Sequence, residues 1–175
     1  MRELWNCVSM IPGLVLTTHW GRSTSFPKAL AMVGYSIICL GSMSWHFMHW
    51  IHGDRVNMKW LKVDLVCQNV GLMLSISQSA LGAGGVLMLL PCAMISLITD
   101  PRDKRQKQLA YSANATNILI NASISKYIVM QWLLGFTFFG TEILWPEYAN
   151  GIGHVAWHIV CHICVHQHFI HNSLN

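Results

Sequence analysis

Long runs of apolar residues dominate this chain, and short polar segments separate them. The runs are continuous rather than alternating, a pattern that favours helices over strands. A helix that spans a bilayer needs about 20 mostly apolar residues. Stretches near that length occur at 3–20, 27–50, 62–80, 82–99, 109–125, 128–145 and 152–170. The pattern therefore predicts an all-α integral membrane protein, a bundle of seven transmembrane helices that forms one domain over residues 1–175.

Residues that favour turns separate these stretches, for example the charged segment 100–105 and the segment 146–151. The fifth stretch is the least apolar, because three asparagines interrupt it: Asn114, Asn117 and Asn121. They fall near one helix face. This helix therefore either packs inside the bundle or lies at the membrane interface without crossing, and a bundle of six spans is the alternative.

Composition agrees with a membrane environment. Hydrophobic residues make up 53% of the chain and charged residues 10%, whereas a soluble domain carries about 25% charged residues. In lipid, only helices and closed barrels satisfy every backbone hydrogen bond. The formal net charge of +4 is spread over short loops and forms no basic patch with interleaved aromatic residues, so the sequence does not predict nucleic-acid binding.

Polar and ionisable residues lie at particular ends of the predicted spans. Ser42 and His46 are four residues apart near the end of the second span, and Asp64 begins the third. His154 and His158 are four residues apart at the start of the last. In the seven-span topology all five residues lie near the same side of the membrane. Ionisable groups inside a membrane span are costly and indicate a functional site.

The spacing of these histidines indicates a metal site. Two histidines at i and i+4 project from one helix face and can share a metal, and His46 supplies a third ligand from another helix. Three protein ligands with an open fourth position are typical of catalytic zinc, which activates water and polarises a carbonyl. Asp64 then suits the orientation of that water or the movement of its proton. Ser42 suits a hydrogen bond to the water or to the developing oxyanion.

Short motifs in the first two spans resemble a known family. The first span opens with Glu3-Leu-Trp-Asn-Cys-Val-Ser9, which is similar to the Glu-Phe-Trp-Asn-Thr-Val-Ser opening of alkaline ceramidases. The second ends with Gly41-Ser42-Met-Ser-Trp-His46, which resembles the Gly-Ser-x-x-x-His motif of that family.

Motifs farther along the chain resemble the same family. Asp64 follows a short basic loop, as the family's aspartate does, and His154-Val-Ala-Trp-His158 resembles its His-x-x-Trp-His motif. Leu133-Leu-Gly-Phe-Thr-Phe-Phe139 resembles its sixth helix. The wider superfamily of adiponectin receptors, haemolysin-III-like proteins and GPI-anchor remodelling proteins shares the scheme of Ser/His, Asp and His-x-x-x-His. The Glu-x-Trp-Asn opening favours the ceramidase branch.

The resemblance implies a site and a reaction. His46, His154 and His158 would bind zinc, and Ser42 and Asp64 would be the catalytic residues. The reaction would be the hydrolysis of the amide bond of a ceramide-like sphingolipid to a sphingoid base and a fatty acid. The partner is then a membrane lipid, and the membrane is that of the endoplasmic reticulum or the Golgi.

The chain also departs from the family. An acidic, Trp-containing segment that helps to bind calcium precedes the family's first helix and has no counterpart before Glu3. Glu3 and Glu142 stand where other calcium-associated residues can lie, so zinc is expected and calcium is not firmly predicted. The family's Asp-Glu-Leu-Pro reads Asp64-Leu-Val-Cys here, and the chain is shorter. An alternative is therefore an inactive ceramidase-like scaffold, an accessory subunit of a large membrane complex in a mitochondrial or other organellar inner membrane.

Further histidines leave two ligand questions open. His49 lies one turn beyond His46 and could compete with it as a ligand. His162 and His166 extend the four-residue spacing along the last span. A second metal, or a haem held between His46 and either His154 or His162, is a further hypothesis, although it leaves the serine and the aspartate unexplained.

Overall fold

The computed structural model describes residues 2–20, 25–78, 82–123, 133–135, 137–138, 140–141, 144 and 151–171. These ranges are helical throughout apart from short connections, and no strand occurs in them, which confirms the all-α prediction. The helices are α1 (Arg2–Val8), α2 (Ile11–Trp20), α3 (Phe26–His52), α4 (Lys59–Ser75), α5 (Gly82–Ile98), α6 (Lys104–Ser123) and α7 (Ile152–His171). Two 3-10 turns, Gly53–Arg55 and Ile76–Gln78, follow α3 and α4. Most of the predicted span 128–145, including Glu142, lies outside the described residues.

One helix in the described ranges is long and apolar enough to cross a membrane. It runs over Phe26–Arg55, and 33% of its most apolar stretch is buried inside the molecule. The helix α5 is apolar but has only 17 residues. Length and composition therefore support one span here, and the seven-span count stays a prediction.

The first predicted span is two helices rather than one. The chain leaves helical geometry at Ser9 and Met10, between α1 and α2. Pro12 explains the break, because proline has no backbone N–H for the carbonyl of Val8 and its ring crowds that carbonyl. The break exposes the Ser9 carbonyl, which accepts a hydrogen bond from His162 Nε2 at 2.7 Å.

Glycines allow α3 and α4 to pack backbone against backbone. A Cβ atom built on Gly34 would collide with the carbonyl oxygen of Gly71, and one on Gly71 would collide with that of Gly34. Immediately before Ser42, the helices are equally close, since a Cβ on Gly41 would overlap Cys67. Small residues permit such crossings in membrane helix bundles.

The helix α6 packs on α4 through its three asparagines. Asn117 donates to the Asn69 carbonyl at 3.0 Å, and Asn114 donates to the side chain of Gln68. Asn121 donates to the carbonyl of Asn117, one turn back. The polar residues that make this stretch unlike a lipid-facing helix thus face a neighbouring helix, as the packed-helix alternative requires.

Three apolar clusters join the helices around the site. Their buried members are Leu72, Ile118 and Cys164; Met10, Tyr35 and Cys39; and Leu61, Leu65 and Ala110. The first links α4, α6 and α7, and the second links the α1–α2 break to α3. Val165 of α7 packs against the second cluster, so α7 contacts both of them.

Candidate metal centre

His46 of α3 lies against His154 and His158 of α7. Each of the three offers one ring nitrogen, and these nitrogens lie within 4.8 Å of one another. The ring centroid of His46 lies 4.8 Å from that of His154 and 5.5 Å from that of His158. No other cluster of metal-ligating side chains with this geometry occurs in the described part of the chain. The structure thus contains a possible metal site made of three histidines.

The local sequence positions both histidines of α7. Gly151 has a φ of 85°, a left-handed conformation that glycine adopts without strain. The helix begins at the next residue, so His154 lies in its first turn and His158 one turn later on the same face. The Gly151 backbone also packs against the side chain of Arg2, which fixes the start of α7 beside α1.

The outer nitrogens of two histidines are hydrogen-bonded to side chains of α1 and of the break after it. His46 Nδ1 lies 2.6 Å from Glu3 Oε2. A carboxylate only accepts hydrogen bonds, so the proton is on His46 Nδ1. His158 Nδ1 lies 2.6 Å from Ser9 Oγ, whose own hydrogen goes to the Asn6 carbonyl at 2.7 Å. Ser9 must then accept from His158, and in its neutral form each of the two histidines presents an unprotonated Nε2.

With these hydrogen bonds, the histidines are suited to bind a metal ion. Neutral imidazole is a good ligand for zinc, and ligating histidines usually donate their other N–H to a carboxylate, carbonyl or similar acceptor. Such partners fix the tautomer and the orientation of the ring. The three nitrogens, together with Glu3 and Ser9, therefore provide the groups that a bound zinc ion requires.

Asn6 lies between these two partners. Glu3, Asn6 and Ser9 follow one another at intervals of three residues, which places neighbours on one helix face. The Asn6 side chain is 1% exposed, and neither of its polar atoms has a hydrogen-bond partner among the described residues. A buried amide without a partner costs about 1–3 kcal/mol. Its burial next to the histidines fits a site that holds a polar ligand.

His49 contacts the carboxylate oxygen of Glu3 that does not bond His46, and it is not one of the three clustered histidines. Its Nδ1 is 3.5 Å from Glu3 Oε1. The Glu3 carboxylate therefore faces two histidines of α3. Glu142, the second acidic residue considered for calcium, lies outside the described residues.

A cavity of about 70 Å³ adjoins the centre. It is lined by Met10, Tyr35, Ile38, Ser42, Gln68, Leu72, Ile118, Trp157, His158, Cys161, His162 and Val165. Ser42 is buried, one turn before His46 on α3, and it borders the cavity together with His158. The structure thus places Ser42 beside the metal ligands in a largely apolar space.

Asp64 is buried but is not one of the residues that line this cavity. Its Oδ1 accepts a hydrogen bond from Gln68 Nε2 at 2.9 Å. Gln68 lies one turn further along α4, and its side chain borders the cavity. Sequence reasoning did not select Gln68, because a glutamine four residues after an aspartate carries no recognised signature.

His162 is a hydrogen-bonding residue of the packed interface. Its Nε2 donates to the Ser9 carbonyl at 2.7 Å, so its Nδ1 accepts from the Tyr35 hydroxyl. Both ring nitrogens are thus engaged. The haem hypothesis that pairs His46 with His162 is therefore not supported by this arrangement.

Comparison of the chain with protein-family models, with curated proteins and with solved structures gives no match. The interpretation of the site consequently rests on its own geometry and on the motifs quoted above.

Proposed function

We propose that this chain is a zinc-dependent amide hydrolase that acts on a ceramide-like sphingolipid within a membrane. The observation that carries the proposal is the group of three histidine nitrogens within 4.8 Å of one another. Two of these histidines are held by Glu3 and Ser9 in the tautomer that suits metal binding. The resemblance to alkaline ceramidases supplies the reaction class.

Each residue of the site has a defined task in this proposal. Zinc, when bound, supplies Lewis-acid polarisation of a carbonyl and activation of water. Ser42 donates a hydrogen bond to the carbonyl oxygen as negative charge develops on it. Asp64 does not border the cavity in this structure; in the proposal it would have to turn towards the cavity to take the proton of the attacking water and return it to the leaving amine nitrogen. A C–O bond forms as the amide C–N bond breaks, and the products are a fatty acid and a sphingoid base.

The outer surface supports placement of the protein in a lipid bilayer. Large apolar side chains are exposed along two helices, including Val33 and Leu40 on α3 and Leu87 and Ile98 on α5. Soluble monomers rarely expose large contiguous apolar patches, whereas lipid covers them. We propose the seven-span bundle on this basis, with the segment 128–145 as one of its spans. The lipid substrate then reaches the cavity sideways from the bilayer.

Metal content of the detergent-purified protein, measured by mass spectrometry, tests the site. We expect about one zinc ion per chain, since the three ligands form one site, and its loss in His158→Ala. His52→Ala is the matched control, because His52 lies at the exposed end of α3 outside the cluster. A folded wild-type protein without zinc would remove the hydrolase proposal.

Turnover of a ceramide substrate is the second measurement. Release of fatty acid by the wild type and its loss in His158→Ala would support the enzyme. Zinc without turnover would favour the accessory-subunit alternative, in which a buried metal holds helices together. That outcome also predicts that the protein purifies with membrane partners rather than alone.

A further inference from the structure

The polar side chains that border the cavity beside the metal centre include Ser42, Gln68, His158 and His162. Both ring nitrogens of His162 already make hydrogen bonds. His158 uses Nδ1 for the Ser9 hydroxyl, and it is a member of the ligand cluster. Of these four side chains, Ser42 and Gln68 therefore remain able to bind a polar group.

The orientation of the Gln68 carboxamide follows from its two neighbours. Its Nε2 donates to Asp64 Oδ1 at 2.9 Å, and an ionised carboxylate can only accept. Its Oε1 accepts from Asn114 Nδ2 on α6. Exchange of the nitrogen and oxygen positions would break both hydrogen bonds. An amide nitrogen carries two hydrogens, so one N–H of Gln68 remains for a ligand in the cavity.

The cavity suits a neutral hydrogen-bond acceptor attached to an alkyl chain. No lysine or arginine of the described chain lines it, so an anionic headgroup would be buried without a counter-charge, which is costly. Most of the wall is apolar, with side chains such as Met10, Leu72 and Ile118. A carbonyl oxygen has two lone pairs and can accept from two donors, and Ser42 and Gln68 supply one donor each from α3 and α4.

We propose that Gln68 is a specificity-determining residue that donates its second Nε2 hydrogen to the carbonyl oxygen of a lipid amide. This inference rests on the proposed function and adds the group that recognises and orients the amide carbonyl. Asn114 acts through Gln68 as a positioning residue, since its hydrogen bond holds the plane of the carboxamide.

Two neutral lipids that cannot be hydrolysed test this inference on the full chain in detergent. The first is a ceramide analogue in which the amide N–H is replaced by a methylene, so that a ¹³C-labelled ketone carbonyl remains. The second is the matched lipid in which that carbonyl is also a methylene. Gln68→Met removes the donor and keeps an unbranched side chain, and Leu72→Met is a control on the same cavity wall.

We expect Gln68→Met to lower the affinity for the ketone about five-fold, the effect of one neutral hydrogen bond, and to leave the affinity for the hydrocarbon unchanged. Leu72→Met should alter both affinities alike. The infrared carbonyl band of the ketone should lie at lower frequency when bound to the wild type than in detergent, and should shift back in Gln68→Met.

Equal ketone affinities in the wild type and in Gln68→Met would overturn the inference. If Gln68→Met does not fold, the wild type decides alone, because a carbonyl band that stays at its frequency in detergent excludes the hydrogen bond. Zinc is measured in the same samples. Its absence would count against the proposed function, whereas the ketone measurements separately decide the role of Gln68.

Discussion

The two sides of α3 are held by different physical means. On one side, α4 meets α3 at glycines, and the two backbones pack in direct contact at Gly34 and Gly71. On the other side, α1 and α7 approach α3 through hydrogen bonds, among them Glu3 to His46 and Tyr35 to His162. Close packing tolerates no added volume, whereas a hydrogen-bonded contact depends on particular polar atoms.

His46 contacts the α1–α7 side, and the two sides therefore predict two kinds of defect. Changes at the α3–α4 contact should lower stability, and metal binding should fall only as the fold is lost. Changes at the α1–α7 side should lower metal affinity while the fold survives.

Gly71→Ala should have the largest effect. Its added Cβ would overlap the Gly34 carbonyl oxygen and the Ile38 side chain, so we expect a loss of about 2–3 kcal/mol in the free energy of unfolding. Unfolding in detergent, followed by circular dichroism, measures the change. Gly84→Ala is the matched control, because a Cβ there meets no atom within 4 Å, and replacing a helical glycine by alanine stabilises by up to about 1 kcal/mol. Equal stabilities for the two variants would refute the close contact of α3 and α4.

Glu3→Ala should have the next largest effect, on zinc rather than on folding. It removes the carboxylate that accepts from His46 Nδ1, and loss of such a partner typically lowers metal affinity about 10- to 100-fold. Competition with a chelator at fixed pH measures the affinity. Glu3→Gln keeps an acceptor oxygen and should lose less. If Glu3→Ala unfolds the protein and Glu3→Gln binds zinc normally, the carboxylate is structural.

Ser9→Ala should produce a smaller loss of zinc affinity. The Ser9 hydroxyl accepts from His158 Nδ1 and carries no charge, so we expect about a 10-fold weakening, at the low end for partners of this kind. Ser44→Ala is the control, since the Ser44 hydroxyl bonds the Leu40 carbonyl within α3. Equal affinities in the two variants would show that Ser9 does not orient His158.

The helices and the pairing of His154 with His158 could largely be predicted from the sequence, because both depend on local spacing, whereas the addition of His46 to the pair came from the family resemblance. Apolar length located α3, α5 and α7 within a few residues. The start of α6 was placed five residues too late, because the charged residues from Lys104 onward were assigned to a loop. In the structure, Asp103 Oδ1 accepts from the Gln106 backbone N–H at 2.9 Å, which allows the helix to begin among those charges.

The hydrogen bonds around the centre could not be predicted in the same way. Glu3 and His46 are 43 residues apart, and Ser9 and His158 are 149 apart, so no spacing rule connects them. Pro12 was visible inside the first predicted span, but its consequence depends on tertiary structure, since the carbonyl exposed by the break finds its partner on α7. Hydrogen bonds between side chains of different helices depend on how the helices pack in the folded protein.

His49→Ala should have the smallest effect and decides between two possible ligands of α3. The His49 ring lies 3.5 Å from the Glu3 carboxylate and outside the histidine cluster. A partly exposed ion pair of this kind contributes about 0–1 kcal/mol, so zinc affinity should change by less than about five-fold. His46→Ala, one turn earlier on the same helix, should abolish binding because it removes a ligand. If His49→Ala loses zinc and His46→Ala keeps it, then His49 is the third ligand, and the hydrogen bond between Glu3 and His46 has a purely structural role.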